Sequence, residues 1–140
     1  MTNEELILKD LTARLPYNVK FPIIDWDDDI QEEIQVNATL YSINKDGYVR
    51  TLESDYEFDI TSIKPYLFPL SAMTEEQKKK LKVMCDWHDD EEDAQSILVL
   101  YHKHFVMKSD VIDWLNENHF DYRGLIEKGL ALDATNLNVY

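Results

Sequence analysis

Cys85 and His88 stand three residues apart, and His102 and His104 follow as His-x-His, the nearest approach in this chain to a zinc site. A tetrahedral zinc needs four nitrogen or sulfur donors converging at about 2.0–2.3 Å, a number that one cysteine and three histidines would supply. His-x-His presents both rings to one side only on a strand; on a helix, positions two apart diverge by roughly 200°. The plainer reading makes Cys85 a core residue, His88 and His102 surface residues and His104 half-buried, and it outweighs the ligand reading. His88 with Asp89 and Asp90 has the makings of a general base oriented by carboxylates, and Asp27, Asp28 and Asp29 offer hard oxygens to magnesium. Neither run has the glycine turn and distant acid of an EF-hand loop, and runs of this kind in loops are mostly solvated. Three glycines in the whole chain leave little from which to build a phosphate cradle; no Gly-x-Ser-x-Gly elbow and no Cys-x-x-Cys pair is present. A metal-dependent enzyme using Cys85, His88, His102 and His104 is therefore the alternative reading, and no cofactor is expected.

The acid balance says more. Twenty-eight Asp and Glu against fourteen Lys and Arg give a formal charge of −14, which disfavours direct binding to nucleic acid or to an anionic membrane and favours a basic protein partner. The carboxylates fall in three groups, Asp25 to Glu33, Glu53 to Asp59 and Asp89 to Asp93. The expected binding residues are Asp27, Asp28, Asp29, Asp89, Asp90, Glu91 and Glu92. Two or three groups brought onto one face would resemble the phosphate track of DNA, about one charge per 1.7 Å of duplex axis, and would suit the basic groove of a nuclease or polymerase. The competing explanation is that excess acid only keeps the protein dissolved. Trp26, Tyr41, Tyr48 and Tyr56 fall in or beside the expected sheet; on its wet face they would form a contact patch, and otherwise they belong to the core.

The elements that must carry these residues follow from periodicity. Leu8, Leu11 and Leu15 predict a helix from Glu4 to Leu15, with Asn3 as its cap and Pro16 as its stop. Tyr17 to Asp25 reads as extended, with Pro22 arguing for a sheet edge or a strand end rather than a central strand, and Asp27 to Asp29 as the loop after it. Ile34, Val36, Ala38 and Leu40 alternate with polar residues, so Ile34 to Ile43 is a strand with one wet face; Asn44-Lys45-Asp46-Gly47 then turns the chain into a partner strand from Tyr48 to Leu52. A weaker strand is expected over Tyr56 to Ile63 and an extended connector over Lys64 to Met73, punctuated by Pro65 and Pro69. Thr74-Glu75-Glu76-Gln77 is a capping box that opens a helix to about Trp87, with Leu81 and Met84, and Trp87 as a further candidate, facing inward and Lys78, Lys79, Lys80 and Lys82 forming the one basic cluster of the sequence. Ala94 to Met107 suits a strand or a helix, the helix being preferred. Ser109 is expected to cap a helix to about Asn118 with Val111, Trp114 and Leu115 buried, and Asp121 to cap another burying Leu125, Ile126 and Leu130.

At 140 residues with 44% apolar content the chain is long enough for one self-sufficient core, so a single compact domain over 1–140 is expected. The fold class is α+β: an N-terminal helix, a small antiparallel sheet around a central hairpin, and helices packed on one face. A lone cysteine and an acidic N-terminus without a leader-like apolar run fit a cytoplasmic protein. Three blocks add a resemblance: Lys9-Asp10-Leu11 with Ala13 to Tyr17; Ile63 to Leu67 running into Pro69-Leu70-Ser71 and Met73 to Glu76; and, above all, Asp113 to Asn116 followed by His119-Phe120-Asp121-Tyr122-Arg123-Gly124-Leu125 and on through Leu132. In these the chain resembles a group of small uncharacterised proteins encoded by gut bacteria, often within phages or other mobile elements. That resemblance implies one compact domain with a shared scaffold and a variable hairpin, and it supplies no activity to carry over to any residue. The function expected is a non-catalytic, intracellular acidic module that binds a protein, as an accessory or inhibitory factor of a mobile element and in one version as a nucleic-acid mimic. A structural subunit of a particle is a further alternative.

Overall fold

The computed structural model describes residues 1–87, 93–104 and 108–140, with the side chains of 100–104 left aside. Helix α1 spans Asn3–Arg14 and starts on a reciprocal capping box: the Thr2 hydroxyl accepts from the Glu5 amide at 3.1 Å, and the Thr2 amide donates to the Glu5 carboxylate at 3.0 Å. The cap is thus Thr2 rather than Asn3, since Thr-x-x-Glu satisfies two orphan amides where Asn3 would satisfy one. Its buried face is rotated from the leucine stripe. Ile7 and Leu11 are buried, Leu8 is exposed, and Asp10 and Arg14 are fully enclosed.

That rotation has an electrostatic cause. Asp10 accepts from Arg14 Nε at 2.8 Å and Nη2 at 3.2 Å, one helical turn on, and from Arg123 Nη1 at 2.9 Å across the chain. Arg14 Nη2 also donates to the Phe120 carbonyl at 2.7 Å, and both guanidiniums lie over the Tyr122 ring, their Cζ atoms 5.4 Å (Arg14) and 4.6 Å (Arg123) from its centroid. Paired in this way, the two charges can occupy a helix face that apolar counting assigns to leucine.

After a short 3-10 turn over Leu15–Tyr17, strands β1 (Lys20–Asp27), β2 (Glu32–Ile43), β3 (Tyr48–Thr51) and β4 (Glu57–Asp59) form an antiparallel sheet in that order. Pro22, opposite Asn37, sits on the edge strand as its missing amide requires. The Asn44 side chain accepts from the amides of Asp46 and Tyr48, and Gly47 takes the positive φ of 84° that closes the hairpin. Strand β4 is shorter than expected because the Asp59 carboxylate accepts from the Thr61 amide and starts a 3-10 turn at Ile60.

The stretch expected as a bare connector holds β5 (Tyr66–Pro69), the centre of a second sheet. Helices α2 (Glu75–Met84), α3 (Ala94–His104) and α4 (Ser109–Glu117) follow, then β6 (Phe120–Asp121) and β7 (Leu132–Asp133), each parallel to β5 and on opposite sides of it. The Thr74–Gln77 box caps α2 as expected, and the segment from Ala94 is helical. Ser109 is already within α4, and Lys108 before it supplies no side-chain cap. Asp121 starts no helix: its two oxygens accept from the Leu125 and Ile126 amides, both at 2.9 Å, and pin a chain of turns through Gly124 and Gly129, each with φ above 70°. One core lies between α1 and the first sheet around Leu11, Phe21, Val49 and Leu67; the other joins α2 to α4 around Leu81, Ile97, Leu115 and Phe120. The α+β class and arrangement thus match the expectation.

Replacing Asp10 by Asn leaves the enclosed Arg14 guanidinium and the partly exposed Arg123 guanidinium without their shared counter-charge, and should lower unfolding stability by about 3 kcal/mol or more in a urea titration. Thr74→Ala, which removes only a cap, should cost about 1 kcal/mol in the same titration.

Candidate functional site

Eight consecutive pairs, from Lys20 opposite Thr39 to Asp27 opposite Glu32, make β1 and β2 a long hairpin whose end carries the first acidic group. Its turn is built by that group. Asp27 accepts from the Asp29 amide at 2.9 Å, and Gln31 takes a positive φ of 56° to bring the chain back. Asp27 is half-buried, whereas Asp28 and Asp29 are exposed. Asp25, Asp27, Asp28, Asp29, Glu32 and Glu33 thus crowd one hairpin end, and among the described residues none forms an ion pair with a lysine or arginine.

Apolar side chains stand exposed in the middle of this charge. Phe21 and Ile23 point into the core, so the strand period sends Ile24 and Trp26 to the opposite face; they remain 59% and 53% exposed, and Ile30 at the turn 55%. Across the ladder Ile24 faces Gln35 and Trp26 faces Glu33. Three large, half-exposed apolar groups beside six carboxylates that have no lysine or arginine partner among the described residues form the chemically distinctive surface of the sheet. Tyr41, Tyr48 and Tyr56, the other aromatics whose place the sequence left open, are exposed as well.

The second acidic group does not join the first. Glu53 is tied to the Thr39 amide at 2.6 Å and to its hydroxyl at 2.9 Å, Asp59 caps a turn, and Glu57 lies opposite Arg50. Strand β4 pairs with β3 near the Ile43 end of β2, whereas the Asp27 turn is at the Glu32 end, a separation on the order of 30 Å along the strand. Asp89, Asp90, Glu91 and Glu92 lie outside the described residues.

Of the quartet weighed as a zinc site, Cys85 is buried in the helical core, and burial raises its thiol pKa above the ordinary value. His88 lies outside the described residues, as do the side chains of His102 and His104, whose backbone is helical. Among the described residues no group of three or more His, Cys, Asp or Glu side chains is placed to hold a metal ion. No described helix is long and apolar enough to cross a membrane.

A pairing that periodicity gives no sign of involves His119 and Tyr140, stacked at 3.6 Å between centroids and 11° between planes. The Tyr140 hydroxyl donates to the Tyr66 carbonyl at 2.7 Å and accepts from the Lys20 amide at 2.9 Å, joining the two sheets. Burial and the nearby positive charges of Arg14 and Lys20 bring the His119 pKa down to about 4, and burial raises that of Tyr140. No known family model, curated protein or solved structure matches the chain.

Because His119 stays neutral when folded but binds a proton near pH 6.5 when unfolded, its contribution to stability is complete above pH 6.5 and declines as pH falls toward 4. The His119 ring protons, assigned with His119→Asn, should titrate in the NMR spectrum with a midpoint near pH 4; a midpoint near 6.5 would show that the stacked, buried arrangement is wrong.

Proposed function

We propose that this chain is a non-catalytic protein-binding module that docks through the end of its β1–β2 hairpin onto a basic partner. The observation that carries the reading is the exposure of Ile24, Trp26 and Ile30 among six carboxylates that form no ion pair among the described residues. An aromatic and two branched aliphatics supply desolvation energy at the centre of a contact, while a charged border steers the partner and excludes wrong ones. The partner that fits has an apolar hollow ringed by Lys and Arg. The large separation between the acidic groups at Asp25–Glu33 and Glu57–Asp59 favours such a local patch over an extended imitation of a phosphate track. The finer reading, an accessory or inhibitory factor of a mobile element acting in the cytoplasm, rests on the resemblance of the blocks around Lys9, Pro65 and His119 to proteins of such elements.

The test compares capture by three tagged forms: the wild-type chain, Trp26→Ala, and the Asp28→Asn, Asp29→Asn double variant, which spares the turn-forming Asp27. A partner bound as proposed weakens by about thirtyfold on Trp26→Ala, the size of a hot-spot loss. The double variant should weaken binding several-fold and flatten its dependence on salt. Capture that ignores both changes would overturn the reading.

A further inference from the structure

A cavity of about 550 Å³ opens between α1, the end of β5, α3, α4 and the turns after Asp121, and no residue of the β1–β2 hairpin lines it. Its size is that of a small-molecule site. Leu70, Leu98, Val99, Ile112 and Ile126 provide the apolar part of its wall, and Lys9 and Arg123 the cationic part.

The donors of that wall follow from the buried cluster. Arg14 alone neutralises Asp10, so the charge of Arg123, which shares the same carboxylate, is not needed there. One Arg123 N–H is spent on Asp10, and among the described residues its remaining donors have no partner; neither does the Lys9 ammonium. The two acids at the cavity balance its two cations formally, but neither is bonded to Arg123 or Lys9 among the described residues: Asp121 has both oxygens on the Leu125 and Ile126 amides, and Glu127, like Lys9, is exposed to water, so what the wall offers is unspent donors rather than net charge. Unspent guanidinium donors with a lysine, opposite an aliphatic wall, match one ligand chemistry. We infer that the cavity binds a small aliphatic carboxylic acid, its carboxylate on Arg123 and Lys9 and its chain against Leu98, Val99 and Ile112. This site stands on observations separate from those at the hairpin.

The experiment is an amide-resolved NMR titration of the whole chain with decanoate, and with decanol as the uncharged match. Decanoate should give saturable shifts at Gln95, Leu98, Ile112 and Ile126, and decanol should bind at least about tenfold more weakly for want of the charged contact. Lys9→Ala should weaken decanoate about three- to fivefold, the effect of one exposed charge. Val99→Glu, a change at an already exposed position, should abolish binding. Equal affinity for decanol, shifts that do not saturate, or binding unaffected by Val99→Glu would each overturn the assignment. The hairpin variants Trp26→Ala and Asp28→Asn should bind decanoate as the wild type does, so failure at either site is read separately from the other.

Discussion

The whole arrangement leans on one buried carboxylate. Asp10, wholly enclosed, holds two guanidiniums that come from positions 14 and 123, and through Arg14 it reaches the carbonyl of Phe120. Withdrawing such charges from water costs several kcal/mol for each ion, and here the offset comes from three N–H groups on Asp10 and one on the Phe120 carbonyl, while the buried Arg14 Nη1 has no hydrogen-bond partner among the described residues. The cluster therefore defines where α1 can lie. Sliding the helix by one residue would separate Asp10 from Arg14's carbonyl partner and from the Tyr122 ring on which both guanidiniums rest. Since Phe120 belongs to β6 and β6 pairs with β5, the same contacts place the second sheet against the first core. Tyr140 makes a second tie between the sheets, bridging β1 and β5 through a single hydroxyl.

Against that anchored body the β1–β2 hairpin is differently made. Its inward face is ordinary core, with Phe21, Ile23 and Ala38 buried, but on the outward side and at the turn Ile24, Trp26 and Ile30 are each more than half exposed. Stability alone gives no reason to leave Trp26 and Ile30 in water, and like-signed carboxylates crowded at a turn repel one another. Both costs fall on the same few residues, on an element whose hydrogen-bonded ladder keeps them in fixed register. A rigid platform for exposed aromatic and acidic groups is what a binding surface requires. The aliphatic cavity, by contrast, is framed by four elements and takes its unspent guanidinium donors from the buried cluster, so the two surfaces have separate physical origins.

Much of the fold was legible because local rules and tertiary needs agreed. Alternation from Ile34 to Leu40, the Asn44–Gly47 turn, the Thr74 box and the edge placement of Pro22 each have one physical solution, and the structure adopts it. Where they disagreed, the reading from sequence went astray for reasons that can be named. Apolar counting put Leu8 inside because it gives no weight to a charge pair strong enough to take the inner face. Strands of two residues, such as Phe120–Asp121 and Leu132–Asp133, have no periodicity to detect, so β5 looked like a connector. Asp121 carried the chemistry of a helix cap, and the glycines at 124 and 129 turned that chemistry to a loop. For the site, the sequence showed which residues were acidic and aromatic; which of them shared a surface depended on a hairpin register and on the length of β2.

Hydrogen exchange of the chain with and without a retained basic partner tests the central claim most directly. Docking through the hairpin end predicts slowed amide exchange and reduced side-chain labelling confined to about residues 24–35, with the β3–β4 end of the sheet and the lysine face of α2 unchanged. Protection centred on Lys78 to Lys82, or on the Tyr48 to Asp59 end while residues 24–35 exchange as in the free protein, would contradict it.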